Sequence, residues 1–304
     1  MKSNTRFTQF FLFLLIPCFL DAQKKIEVTN ENVNMSKGNQ PVYVVIIPEA
    51  NLESVKKEWI KLIRQNTKSK VEETGSEINI QGTLINEIYN QPINIYSALI
   101  SADSAIKLVS AFEIDSVFFE LDDKNKTIEN EKIHTSIKGF VRKFAVDQYK
   151  VAVQLQADSE EKKLNNLNKE FENLNKQVES DRKEIKENEQ NIKNSQDAIA
   201  TYEKDNERMV AEINAKKEAN ASIKDNPELQ KTAKDQLKDL EKEKNSIENN
   251  LEKEQKNIVK YQANIEELNG AIENNIQLIE EKKSEITNQE ATVKQVTTKL
   301  NGIK

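Results

Sequence analysis

Leu164 to Ile223 reads LNNLNKEFENLNKQVESDRKEIKENEQNIKNSQDAIATYEKDNERMVAEINAKKEANASI. Its apolar residues recur at alternating steps of three and four: Leu164, Leu167, Phe171, Leu174, Val178, Ile185, Ile192, Ile199, Tyr202, Met209, Ile213 and Ile223. An average step of about 3.5 residues marks helices wound in a left-handed supercoil. The rhythm resumes beyond Pro227 with Leu237, Leu240, Ile247, Leu251, Ile258, Tyr261, Ile265 and Leu268. It runs on through Ile272, Ile279, Ile286, Val293, Val296, Leu300 and Ile303. Lys, Glu, Asn and Gln fill the other positions, as a solvated outer face requires.

The pattern lapses once, at Lys224-Asp225-Asn226-Pro227-Glu228, which holds the only proline after Pro92. Asn226 is a good helix cap, Pro227 suits the first helical position, and Glu228 suits the positive end of a new helix. The chain is therefore expected to double back, with arms at about 128–223 and 227–302 and Asp225, Asn226 and Pro227 in the turn at 224–227. That fold sets Ile185 beside Ile265, Ile192 beside Ile258, Ile199 beside Leu251, Ser195 near Glu254 and Asn206 near Lys244. A parallel in-register dimer would instead face Asp181, Lys216, Lys244, Glu254 and Lys282 each with its own like-charged copy. Each arm of the hairpin would span about 100 Å at a rise of about 1.5 Å per residue.

Outward from the hairpin, Met1–Ala22 reads as a secretory signal peptide: Lys2 and Arg6, the apolar run 10–16, and a cleavage site between Ala22 and Gln23. A lipid-attachment cysteine at Cys18 and an uncleaved anchor are the alternatives. Cys18 is the only cysteine in 304 residues. A mature chain without it has no disulfide, thiolate metal site or cysteine nucleophile.

Residues 23–41 are polar and Asn-rich, a flexible lead-in with one strand expected at Ile26–Thr29. Residues 42–121 read as a small α+β domain. Its expected elements are a buried strand at Val42–Ile47, a helix at Ser54–Arg64, and two short strands within Lys70–Ile85 with glycine turns or a bulge. A strand at Ile93–Ile100, a helix at Ala102–Phe112 and a strand at Ile114–Leu121 complete it. Asp122 to Lys126 is a linker, and a helix begins near Thr127 or Ile128. That helix's early face (Ile133, Ile137, Phe140, Val141, Phe144) is wide and aromatic, suited to packing on the small domain. Gly139, unfavourable in a helix, suggests close packing there. The fold class is thus a small α+β N-terminal domain followed by a long antiparallel α-helical coiled-coil hairpin.

Chemistry is sparsely signalled. Net charge is −6, and from Val151 onward there are 26 basic and 32 acidic residues. Such a chain has no basic stripe to neutralise phosphates, so nucleic acid is not an expected partner. His134 is the only histidine, and reads as structural. No phosphate loop, nucleophile elbow or zinc-helix motif occurs, adjacent carboxylates such as Glu266 and Glu267 diverge on a helix, and Asp122-Asp123 reads as a solvated turn. Trp59 reads as core. No catalytic, cofactor-binding or metal residue is assigned.

Two envelope architectures are similar in using long helical hairpins. Trimeric holdase chaperones carry basic arms, unlike these, and efflux adaptors insert the hairpin between halves of a lipoyl-like domain, whereas here it lies C-terminal to the small domain. Separately, Asp103-Ser104-Ala105 and Asp115-Ser116-Val117 resemble the Asp-Ser/Thr-apolar pattern that some Gram-negative bacteria O-glycosylate in the periplasm. The elements assigned above would leave both partly buried.

The expected function is a non-enzymatic exported protein of a Gram-negative periplasm or cell envelope, serving as a spacer or interaction scaffold. A holdase-like chaperone for unfolded envelope proteins is the alternative. The expected partner is another protein, a second copy of this chain included, and no small-molecule substrate. Membrane contact is expected only with the leader retained or lipidated.

Overall fold

A computed structural model describes residues 25–122, 124–223 and 226–304. The signal peptide, the cleavage site at Ala22 and Gln23, Cys18 and the turn residue Asp225 lie outside the described residues. Two compact units divide the rest: 25–161 together with Ala291–Lys304, and Lys162–Glu290. The units part within the long helices and not at the linker.

The first unit is built on an antiparallel sheet of seven strands. In chain order come β1 (Val28–Met35), β2 (Gly38–Pro48), α1 (Leu52–Ile63), β3 (Val71–Thr74), β4 (Glu77–Thr83), β5 (Ile93–Ala102), β6 (Ala105–Ile114) and β7 (Val117–Phe118). Two long helices follow, α2 (Ile128–Ala221) and α3 (Pro227–Gly302). Across the sheet the order is β1-β2-β6-β5-β4-β3, with β7 added to β6.

The flexible lead-in expected at 23–41 is corrected. Val28–Met35 and Gly38–Pro48 form a hairpin in continuous register from Val28 opposite Val45 to Met35 opposite Gly38. β1 is an edge strand, so its Asn and Glu side chains face water while its backbone bonds go to β2; polar composition there marks an edge and not disorder. The helix expected at Ala102–Phe112 is also corrected: it is β6, paired on both sides with β2 and β5. Both faces of β6 are covered from Leu108 to Phe112, so its apolar residues do not alternate, and a fully buried strand then imitates a helical spacing. The strand expected at Ile114–Leu121 shrinks to Val117–Phe118. The glycine reading of the β3–β4 hairpin holds: Gly75 lies in its turn at φ 64°. Gly82, at φ 67°, sits where the β4–β5 register shifts between Ile80 and Thr83.

One sheet face carries the main core. Tyr43, Val45 and Ile47 of β2 and Leu108 and Phe112 of β6 meet Val55, Trp59 and Ile63 of α1 and the early face of α2, from Ile133 to Val153. Trp59 is fully buried; its Nε1 donates to Ser97 Oγ at 2.8 Å, and its ring lies 4.9 Å from that of Phe144. Val296 of α3 and Ile303 just past its end join the same core. The other face holds a smaller cluster of Met35, Val42, Val44, Tyr96, Val109 and Ala111.

α1 is capped by Asn51, whose Oδ1 accepts from Ser54 N at 3.1 Å, and α2 by Thr127, whose Oγ1 accepts from Asn130 N at 3.1 Å. The linker is tied down: Asp122 Oδ1 accepts from the backbone N–H groups of Lys124 and Asn125 at 3.0 and 2.8 Å. Gly139 departs from expectation. A Cβ there would meet nothing within 4 Å, so close packing does not account for it.

In the second unit the two long helices run antiparallel and pack on one another. The fold is therefore α+β with a helical hairpin.

Candidate functional site

Of the predicted seam residues, Val178, Ile213 and Ile272 are buried. Leu164, Leu167, Phe171, Leu174, Ile185, Ile192 and Ile199 of α2 are half-buried, as are Leu237, Leu240, Leu251, Ile258, Ile265, Ile279 and Ile286 of α3. Half-burial is what a two-helix seam provides, since neither helix is covered on more than one side. Asn226 caps α3: its Oδ1 accepts from Glu228 N at 3.1 Å and Leu229 N at 3.2 Å, and its backbone carbonyl from Gln230 N at 3.0 Å. Pro227 is the first residue of α3.

Polar bonds across the seam fix its register. Ser195 Oγ donates to Glu254 Oε2 at 2.7 Å, the pairing the doubled-back sequence implies. About three turns away, Asn264 Nδ2 donates to Glu184 Oε1 at 3.0 Å. Lys282 Nζ lies 2.9 Å from Glu170 and Lys217 Nζ 3.5 Å from Glu241. As numbers fall on α2 they rise on α3, the order of antiparallel helices, and the pairs at Ser195, Glu184 and Glu170 advance nearly together, whereas Lys217–Glu241 is offset from them. The Asn206 Oδ1 bonds to no described residue, and Lys244 pairs with Glu248 on its own helix.

Along α2, Asp181, Asn188 and Ser195 recur every seventh residue and are all buried. Gln177 Nε2 donates to Asp181 Oδ1 at 2.7 Å, whereas Asn188 Nδ2 is buried with no hydrogen-bond partner among the described residues. Hydrogen bonds from Ser195 and then Asn257 hold the Glu254 carboxyl below its ordinary range. Glu285 and Glu170 push the Lys282 ammonium up.

The hairpin tip is clipped from both sides. Asn220 Nδ2 donates to the Ala233 carbonyl at 3.1 Å, and Gln230 Nε2 to the Ile223 carbonyl at 3.0 Å. Beside these clips Leu229, in the first turn of α3, is 54% exposed, an apolar side chain in water.

In the first unit, Tyr43 Oη and His134 Nδ1 are 2.9 Å apart. Burial pushes the phenol up. Burial first, and the Lys138 charge second, pull the His134 imidazole below its usual value. The pair joins β2 to α2. A groove between α1 and α2, floored by Leu62, Ile85, Phe140 and Phe144 and rimmed by Lys61, Glu87, Lys143 and Asp147, opens to solvent. Among the described residues no group of three His, Cys, Asp or Glu is placed to share a metal ion, and no helix is long and apolar enough to cross a membrane.

Arg142 is the residue that periodicity did not single out. Its Nε donates to the Ile26 carbonyl at 3.0 Å and its Nη2 to the Lys304 carbonyl at 2.8 Å. One guanidinium thus ties α2 to residues far apart at both ends of the described chain. Only its being an arginine on a mostly apolar helical face hinted at this. Lys299, bonded to Glu49 and set 5.8 Å from the Tyr149 ring centroid, adds a second tie. The chain matches no protein-family model, no curated protein and no solved structure.

Proposed function

We propose that this protein is a non-enzymatic, exported scaffold of a bacterial envelope, in which the hairpin is a structural arm and its tip is the docking element for a protein partner. The observation that carries this reading is the clipped tip. Two side-chain-to-carbonyl bonds and the Asn226 cap restrain it, and Leu229 stands exposed beside them. Flanks already bonded to one another lose less conformational entropy on binding, which favours a preformed contact there. The cross-seam polar pairs support the arm's role, because specific partners along the seam disfavour slippage of one helix on the other. Export rests on the leader sequence.

Crosslinking and mass spectrometry on intact cells test the reading. Crosslinks from Lys217, Lys231 and Lys234 to another protein are expected, and they should vanish when 219–231 is replaced by a short turn. The sheet's folding should survive, as circular dichroism would show. Crosslinks that persist after the replacement would place docking elsewhere. Suppression of aggregation of an unfolded outer-membrane protein by the purified chain would favour the chaperone alternative instead.

A further inference from the structure

The chain contains three Asp-Ser pairs: Asp103-Ser104, Asp115-Ser116 and Asp158-Ser159. The first two are followed by apolar residues, Ala105 and Val117, and the third by Glu160. The third lies within α2. Both of the others form two-residue hairpin loops: Ala102 pairs with Ala105 across Asp103-Ser104, and Ile114 with Val117 across Asp115-Ser116. The partial burial expected from sequence is corrected, for all four loop residues are exposed. The loops cap the two ends of β6.

Turn chemistry accounts for the aspartates. Asp103 and Asp115 take left-handed backbone, φ 47° and 50°, which Asp tolerates better than most residues. It does not account for Ser116, which is also left-handed at φ 65°. A loop with both residues left-handed favours Asn-Gly or Asp-Gly, and any other second residue is strained. Nor does folding require Val117, 67% exposed, to be apolar. The backbone strain and the exposed valine both become intelligible if the tripeptide is read by another protein. Tyr89 Oη donates to Asp115 Oδ2 at 2.9 Å, which holds that carboxylate beside the serine. Neither serine hydroxyl is engaged in a hydrogen bond within the described residues, and both project from hairpin ends, where a bulky substituent extends into solvent without disturbing the sheet.

We propose that Ser104 and Ser116 are acceptors for an O-linked glycan. This inference rests on the exported reading above, because the transfer occurs outside the cytoplasm. In that transfer the serine Oγ bonds to the anomeric carbon of an isoprenoid diphosphate-linked sugar. The bond from that carbon to the diphosphate oxygen breaks, the diphosphate leaves with the electron pair, and the hydroxyl proton passes to a base of the transferring enzyme. Ser159 is the internal control: it shares the Asp-Ser pair but has a charged third residue and a helical backbone, and it stays bare.

The two sites fall in separate tryptic peptides, 71–107 and 108–124, with no Lys or Arg between their ends. The full chain, purified from fractionated cells of its own species, is digested and weighed. Each peptide is expected to carry a hexose-containing mass increment. Ser104→Ala should remove the first increment alone. Ser116→Asn, which keeps a residue tolerant of the left-handed turn, should remove the second alone. Asp103→Asn and Asp115→Asn should have the same effects with the hydroxyls intact, which distinguishes recognition of the tripeptide from loss of the acceptor. Bare peptides from envelope-purified protein overturn this inference and leave export standing. Bare protein recovered from the cytoplasm overturns both.

Discussion

Gly139 and Gly270 lie inside α2 and α3 with helical backbone, and a Cβ on either would meet nothing within 4 Å. Each therefore carries the glycine penalty of a helix interior with no packing gain to offset it. Gly139→Ala and Gly270→Ala are each expected to stabilise the fold by about 1 kcal/mol, read as a higher urea midpoint at unchanged slope. A destabilising result at Gly139 would show that something covers that position. His134 supplies the residue-scale pH dependence. Its folded pKa is lowered below the ordinary 6.5 by burial and Lys138, so the neutral ring is the form the fold prefers. The stabilisation is present above about pH 6.5 and is lost as pH falls through the folded value. Thermal melts of the first unit should fall as pH drops below about 6.5, and His134→Gln should flatten that fall. Glu254, held low by Ser195 and Asn257, adds a loss of the same sign at more acid pH, in the seam.

At the scale of the element, seam burial decides magnitudes. Ile213 is 5% exposed while Ile192 is half-buried. Truncation to Ala costs about 2–5 kcal/mol at fully buried sites. Ile213→Ala should fall within that span and Ile192→Ala at or below its lower edge, the order being checked by denaturant melts of the two variants. Asn188 runs the other way, since its Nδ2 is buried with no partner among the described residues. Asn188→Leu is expected to raise hairpin stability by about 1–3 kcal/mol, the penalty for an unsatisfied buried group, and an unchanged or lower midpoint would mean that the amide is satisfied after all. The seam was legible because its period is set by local geometry: a heptad repeat, one break and one cap suffice to place Ser195 opposite Glu254. The sheet was less so. Ala105, Ile106 and Val109 satisfy a helix spacing as well as a strand buried on both faces, and only pairing with β2 and β5, distant in sequence, decides between them. β1 was hidden for the opposite reason, because an edge strand exposes the polar residues that also mark a loop. Trp59 and the early face of α2 were readable as core, whereas the Arg142 ties depend on carbonyls that no pattern reveals.

For the whole molecule, the two units differ in how completely they exclude water. Ile47, Ile95 and Leu108 in the sheet are fully buried, while most seam residues of 162–290 retain partial exposure. Opening the seam therefore exposes less apolar surface per residue than opening the sheet, and the free energy of opening follows that surface. Native-state hydrogen exchange should show two tiers, with amides of β2, β5 and β6 exchanging slowest and those of 162–290 exchanging through a cheaper opening. The helices are continuous from one unit to the other, so two tiers are not guaranteed by chain separation. They require that the seam can part while the sheet stays closed. Ile213→Ala discriminates: at a cost of about 3 kcal/mol it should speed exchange across 162–290 by roughly 100-fold and leave the slowest β6 amides nearly unchanged. Acceleration of the same size in β6 would mean that seam and sheet open as one cooperative body.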